Sequence, residues 1–388
     1  MAALTAAGLL AHDVATMIAL LRQYAFALLS GGLLAAAFPN THAYPLAWVA
    51  LVPLFYRSLR SRPWGAACQF FAAGWVFHSV VLHWLLANIH WGGGWAAVGY
   101  QLLCIVLALY WAALGLLWGM ARARNAALAG GLLLALLWVG MEWLQATLFS
   151  GFGWSAIGYS QGPDFPLVQW AALGGVSLVS FFIVWFNALV ALVLSEGRVR
   201  GGRVITAVCV LGLSHGVGLL LVSEPKYGED PFRVGIYQSN YAQEMKWDPE
   251  YAVEMVERAC KQCARLAEFE EVDLFVWPEA LVMHHFERPE FMRWMTELVT
   301  STGVPLFTGT VRRDAGAGYN SSVLLDADGE VLGYYDKVHL VPFGEYIPFV
   351  EYFPFLRHMV ITGNGNAGEA WKVLSTDGRK LGPAICFE

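Results

Sequence analysis

Three segments of the chain carry residues that could do chemistry together. Gly382-Pro-Ala-Ile-Cys386-Phe-Glu388 ends an apolar run on a cysteine. Such a thiol is inert unless a neighbour lowers its pKa or takes its proton. Trp277-Pro278-Glu279-Ala280 puts a carboxylate at the end of an apolar strand, the usual place for a site in an α/β sheet, and the proline stops the ladder there. The run from Tyr335 to Pro348 spaces Lys337, His339 and Glu345 among aromatics, glycine and proline, which fix the backbone and limit water. Taken singly, each segment has a plainer reading: a solvated glutamate, a charged loop, a buried thiol. Together they supply a base, an oxyanion stabiliser and a nucleophile for attack on a carbonyl carbon.

These residues need a scaffold, and the pattern after Phe232 describes one. Residues 232–238 and 272–277 read as strands, with a helix over 249–270 between them. A second helix follows at 288–302, then strands near 304–310, 319–326, 330–335, 370–375 and 381–386. Strand, helix, strand, helix, then adjacent strands is an α/β layered domain. Cys260 and Cys263 form a CxxC inside the first helix, without a second pair to complete a zinc site. Incidental helix positions are the simpler reading, and a disulfide the alternative.

The first part of the chain is written for another solvent. Through Val222 there are nine arginines, no lysine and four acids, Asp13, Glu142, Asp164 and Glu196. From Ser223 onward fifteen basic residues face twenty-six acidic ones, a balance that argues against nucleic acid as a partner. Long charge-free gaps separate the early clusters, and about 20 apolar residues suffice for a membrane span. Spans are expected at 24–38, 44–58, 65–85, 96–120, 126–148, 167–194 and 204–222, about seven in all. Residues 1–222 then form a transmembrane bundle and residues 223–388 a separate domain. Ala35-Ala-Ala37 could end a signal peptide, but the spans that follow favour an uncleaved anchor. Arginines fall in alternate loops, at Arg22, at Arg57, Arg60 and Arg62, at Arg122 and Arg124, and at Arg198, Arg200 and Arg203. Retention of basic loops in the cytoplasm puts the N-terminus inside and everything after Val222 outside.

The order Glu279, Lys337, Cys386 resembles the carbon–nitrogen hydrolase (nitrilase) superfamily. Its carriers are Trp-Pro-Glu after the second strand, Lys-x-His-Leu-Val-Pro-Phe-Gly-Glu in the middle and Cys-Phe-Glu at the end. Joined to a seven-span bundle, the chain is similar to the apolipoprotein N-acyltransferase family. Gly151-Phe-Gly-Trp154, Gly158-Tyr-Ser-Gln161, Gln238-Ser-Asn240 and Lys246-Trp247-Asp248 extend the likeness, and Gly153 stands where the family usually has proline. The resemblance implies an αββα sandwich. It makes Glu279 the general base, Lys337 the oxyanion stabiliser and Cys386 the nucleophile, with Glu345 and Glu388 in support and neither metal nor cofactor. Glu345 would orient Lys337 or the base, or make only a structural hydrogen bond; His339 reads as packing.

Further implications concern lipids. The acyl donor would be a phosphatidylethanolamine-like phospholipid, the acceptor the amino group of a diacylglyceryl-cysteine apolipoprotein, and the intermediate a thioester. The location would be the inner membrane, with the catalytic domain periplasmic. Trp154, Tyr159 and Glu142 are candidates for substrate contact, although Glu142, inside a span, could equally meet a bundle partner. The family continues well beyond the position of Glu388. The sandwich is therefore expected to be incomplete at its C-terminus, with an unpaired strand edge, and the 388-residue chain to have little transferase activity. The alternatives are a non-catalytic truncated product and a membrane-tethered amidase using the same three residues, although an amidase has no need of the bundle.

Overall fold

The computed structural model describes residues 24–38, 43–88, 93–124, 131–196, 201–222, 231–242, 245–246, 248–314, 316–342, 344–347, 350–352, 354 and 365–388. It divides into two compact units, Met1–Glu224 and Pro225–Glu388. The first is helical. Helix α1 is Tyr24–Ala36, α2 is Pro63–Val81, α3 is Gly94–Arg124, α4 is Leu132–Thr147, α5 is Ala171–Ser195 and α6 is Gly201–Leu221.

Among the described residues four helical stretches are long and apolar enough to cross a membrane: Gly94–Arg122, Leu132–Ser150, Ala171–Ser195 and Gly201–Leu221. The other three expected spans take different forms. Helix α1 is short. The segment expected at 44–58 is broken into Tyr44–Leu46, Ala47–Ala50 and Val52–Ser58, because Pro45 and Pro53 interrupt the backbone ladder. Helix α2 has the length, but Gln69 and His78, both fully buried, lower its hydropathy. His78 is accommodated by Gly74 O at 2.7 Å and Ser155 Oγ at 3.2 Å.

Helices α2 and α3 touch along their length because glycine removes the side chain at the contacts. A Cβ on Gly74 would come within 2.8 Å of the Trp111 ring, and one on Gly115 within 2.8 Å of Phe70. Trp111, Trp138, Phe55, Phe70 and Phe77 fill the bundle core. Between α4 and α5 the chain leaves the helix at Phe149, Ser150 and Gly151, all with positive φ.

The second unit is built on one mixed sheet of strands β1 Val234–Ile236, β2 Leu274–Val276, β3 Val282–His285, β4 Leu306–Asp314, β5 Ala317–Leu325 and β6 Val331–Asp336. The order is β1-β2-β4-β5-β6, with β3 also on β4. Strands β1, β2 and β4 run parallel; β4, β5 and β6 alternate. Helices α7, Pro249–Phe269, and α8, Pro289–Thr302, connect the parallel strands. Each begins with proline, which needs no hydrogen-bond acceptor there, and α8 stops at Gly303 with φ 71°. Val256, Phe275, Met295, Leu306 and Val323 form the core between helices and sheet. A two-stranded piece, β7 Leu374–Thr376 and β8 Arg379–Leu381, follows.

Two expectations need correction here. The strand expected to run through Cys386 ends at Leu381, because Pro383 cannot donate to a ladder. A strand at Val282–His285, unanticipated, re-forms after Glu279.

Candidate active site

Glu279 stands in a gap. Strands β2 and β3 lie one after the other along the same edge of β4: Val276 pairs with Phe307, and the pairing resumes with Val282 on Thr310. The residues between leave the sheet. Pro278 cannot donate, Ala280 takes φ 48°, and the turn settles on Gly309 of β4. A Cβ at Gly309 would lie 2.6 Å from Glu279 Cα and 2.7 Å from Pro278 O, so only glycine lets the turn sit this low. The result is an exposed carboxylate on a backbone pinned at both ends.

Lys337 follows β6 directly. Its N–H donates to Asn320 O at 2.9 Å, and its carbonyl accepts from Gly368 N at 2.8 Å. The preceding Asp336 is buried and clamped by Arg312, with Nε at 2.9 Å and Nη2 at 2.7 Å. Arg312 also lies 4.1 Å from the ring centre of Tyr334. The strand end is therefore rigid at the residue before the lysine.

The Lys337 side chain has no exposed surface, and Nζ lies 2.8 Å from Glu345 Oε2. The contact is ionic, off the direction of a hydrogen bond, so Nζ keeps hydrogen-bonding capacity unused. Glu345 Oε2 also accepts from Val341 N at 2.9 Å. Its other oxygen accepts from Asn320 Nδ2 at 3.1 Å, and the same amide donates to Glu279 Oε1 at 2.8 Å. Asn320 thus links the two carboxylates. It lies on β5, where Ser321 pairs with Asp336, so it faces Lys337 across the ladder.

Cys386 occupies a turn and has φ 55°. A positive φ on a residue with a side chain costs about 1–3 kcal/mol and persists only when the surroundings hold it. Glu388 does the holding. Its Oε2 accepts from Ile385 N at 2.9 Å, and its Oε1 accepts from Tyr335 Oη at 2.7 Å, Val338 N at 2.8 Å and His339 N at 3.0 Å. One carboxylate therefore ties the cysteine turn to the lysine segment. Burial disfavours the charge on Glu388, but the Tyr335 hydroxyl and the His339, Ile385 and Val338 amides outweigh it and hold the carboxyl below the usual range.

The thiol of Cys386 is pushed up. Packing around the sulfur disfavours the thiolate even though the residue as a whole is exposed. The Glu279 charge pushes in the same direction, the Lys337 ammonium opposes it, and Glu345 raises it again. A thiol of this kind needs a base, and Glu279 is near enough to act on it electrostatically.

The structure brings Glu279, Lys337, Glu345, Cys386 and Glu388 into one connected set. Glu142, Trp154 and Tyr159 belong to the other unit. Glu142 is buried in the bundle, where Oε1 accepts from Trp138 Nε1 and Ile157 N, each at 2.9 Å. It serves as a bundle partner, holding the start of the short 3-10 helix Ile157–Gln161 that follows α4. Trp154 and Tyr159 are about half exposed between α4 and α5, and Trp154 lies 5.4 Å from the Trp84 ring. Trp247 is outside the described residues. His339 packs on the Phe387 ring at 5.3 Å. Cys260 and Cys263 are free thiols: Trp277 Nε1 donates to Cys263 Sγ at 3.2 Å, and burial pushes Cys260 up to about 12.

Two residues escaped the sequence reading. Asn320 had a usable signal, an amide in the middle of a strand, where asparagine is depleted. Gly309 had a weaker one, a glycine inside an apolar strand, which marks close backbone approach.

Two family models match. The apolipoprotein N-acyltransferase N-terminal domain matches residues 30–189, and carbon–nitrogen hydrolase matches residues 233–388. The apolipoprotein N-acyltransferase of Geobacter metallireducens is 32% identical over 388 residues, covering 95% of this chain and 73% of the relative. That of Pseudomonas syringae pv. tomato is 30% identical over 380 residues, covering 93% and 73%. Among solved structures, a carbon–nitrogen hydrolase from Helicobacter pylori G27 aligns over 39% of this chain and 50% of its own, with 19% identity and a TM-score of 0.27.

Proposed function

We propose, because the chain belongs to the apolipoprotein N-acyltransferase family, that it transfers an acyl chain from a membrane phospholipid to the N-terminal amino group of a diacylglyceryl-cysteine apolipoprotein. Glu279 takes the proton from Cys386 Sγ, and the thiolate attacks the ester carbonyl of the donor. The tetrahedral oxyanion is held by Lys337 Nζ, whose unused hydrogen-bonding capacity suits a charge that appears only in the transition state. Collapse breaks the ester C–O bond, Glu279 returns the proton to the leaving alkoxide, and a lysophospholipid departs. The acyl group remains on sulfur as a thioester.

The second half repeats the geometry with the amine. Its nitrogen attacks the thioester while Glu279 accepts its proton. The C–S bond breaks, the amide leaves, and the proton goes back to sulfur. Glu345 and Asn320 hold Lys337 and Glu279 in place, and Glu388 holds the turn that carries the nucleophile. Two half-reactions on one enzyme give ping-pong kinetics. The observation that supports this reading is the chain of contacts that runs from Glu279 through Asn320 to Glu345 and Lys337, with Glu388 tying the Cys386 turn to the same segment.

The membrane setting follows from the family and the apolar helices. We place it as the inner membrane, crossed about seven times, with α1, the broken 44–58 segment and α2 completing the four longer spans. The second unit is placed on the periplasmic side, on the strength of the arginine-bearing alternate loops. Incubation of the chain with phospholipid labelled in its acyl chain tests the mechanism. Label should appear on the Cys386 peptide as a hydroxylamine-sensitive adduct and move to an added diacylglyceryl peptide. Label transfer by Cys386→Ala would overturn it.

A further inference from the structure

One end of the bundle gathers arginines, and Glu196, the acid described at that end, is taken up by Arg203. Arg57 lies in the last turn of Val52–Ser58, Arg60 and Arg62 precede α2, and Arg122 lies near the end of α3. The ends are packed together: a Cβ on Gly119 of α3 would lie 2.7 Å from Pro63 Cα. Arg122 Nη2 donates to Ser61 O at 2.6 Å, tying α3 to the turn before α2. Arg60 lies 4.4 Å from the Tyr56 ring centre and reaches Ser195 O at 3.5 Å. Among the described residues none of the four has a carboxylate partner, and Arg122 Nε is buried without an acceptor. Arg60 and Arg62 are exposed.

The next turn inward is hollow. A cavity of about 430 Å³ opens between α1, α2 and α3, lined by Tyr24, Trp64, Ala67, Cys68, Phe71 and Ala112 among others. Small side chains at 67, 68 and 112 leave the space, and Trp64 and Phe71 wall it. Trp64 is two residues from Arg62, so the cavity mouth lies beside the arginines. In hydrocarbon nothing polar stabilises such a space, and an apolar chain fills it with favourable dispersion contacts.

We propose that this end of the bundle is a binding site for an anionic phospholipid. One acyl chain occupies the cavity, and the phosphate lies among Arg60, Arg62 and Arg122, where guanidinium geometry suits a phosphate. A zwitterionic headgroup brings a cation into the same cluster and is disfavoured. The site is structural rather than catalytic. It rests on the bundle alone and stands whether or not the acyl-transfer reading does.

Cys68 reports the cavity, and Cys209, an exposed thiol on α6, reports general lipid cover. The full chain in detergent is titrated with phosphatidylglycerol or phosphatidylcholine, treated with N-ethylmaleimide and analysed peptide by peptide. Phosphatidylglycerol should slow Cys68 labelling several-fold more than phosphatidylcholine, with Cys209 responding alike to both. Each of Arg60→Gln and Arg62→Gln should weaken the phosphatidylglycerol effect about fivefold; both are exposed, so folding is preserved. Ala112→Leu should remove protection by filling the cavity. Equal protection of Cys68 by the two lipids in the unmodified chain overturns the proposal without any variant, as does a preference that survives both arginine substitutions.

Discussion

Lys337 Nζ and Glu345 Oε2 lie 2.8 Å apart, the cation fully buried and the carboxylate about a quarter exposed. The pair is asymmetric in consequence. Removing the carboxylate leaves a buried charge uncompensated, whereas removing the lysine leaves a carboxylate that still accepts from Val341 N and Asn320 Nδ2. Loss of one partner of a buried pair is costly, and loss of both much less so.

Glu345→Gln should therefore lower the midpoint of thermal unfolding more than Lys337→Met, and the double variant should be more stable than Glu345→Gln alone. Acyl transfer should fall about 10²–10³-fold in Lys337→Met, the usual loss for one oxyanion donor. A double variant less stable than both single ones would show that the two side chains stabilise the fold independently of their ion pair.

Asn320 joins Glu279 to Glu345 through a single amide nitrogen. Hydrogen bonds to charged groups contribute about 1.5–3 kcal/mol, so Asn320→Ala should lower the rate of Cys386 acylation by about 10–100-fold. Asn320→Asp should be worse, because it sets a third carboxylate beside two others. Single-turnover acylation with labelled phospholipid measures both. If the Asn320→Asp variant acylated as fast as the unmodified protein, the bridge would have no role in placing Glu279.

Much of the second unit was legible because its signals are local. The Pro-initiated helices at 249 and 289, the apolar strands and the Trp-Pro-Glu stop all sit within a few residues of the structure they specify. The gap between β2 and β3 was not, because it depends on Gly309, about thirty residues away and on another strand. Nor was the Cys386 turn. Its positive φ is imposed by Glu388 reaching the amides of 338 and 339, a contact that adjacent residues do not announce. In the bundle, uninterrupted apolar runs became long helices, while Pro45, Pro53, Gln69 and His78 broke or weakened the rest. The site's outline could be read from residue types; its rigidity comes from pairs distant in sequence.

Gly309 offers a test of that rigidity. Adding a methyl group opposes the Glu279 turn at 2.6 Å from its Cα. Overpacking of this kind costs about 1–3 kcal/mol. Misplacement of a reacting group by about 1 Å costs up to 10²-fold in rate. Gly309→Ala should thus lose far more acylation rate than stability, with KM for the donor nearly unchanged. Equal activity would mean that the turn can rise without moving the carboxylate.

The charges around Cys386 make its ionisation adjustable in both directions. Burial, Glu279 and Glu345 raise its pKa, while Lys337 lowers it. Alkylation by iodoacetamide follows the thiolate, so its rate should climb with pH through a midpoint above that of an ordinary thiol. Removing a neighbouring negative charge makes the thiolate easier to form, and Glu345→Gln should move the midpoint down. Removing the ammonium makes it harder, and Lys337→Met should move it up. Peptide-resolved alkylation between pH 6 and about pH 10 reads the three midpoints, and the order Glu345→Gln, unmodified, Lys337→Met is the expected one. The reverse order would place the ammonium too far from the sulfur to act on it, and with it the oxyanion role of Lys337 would fall.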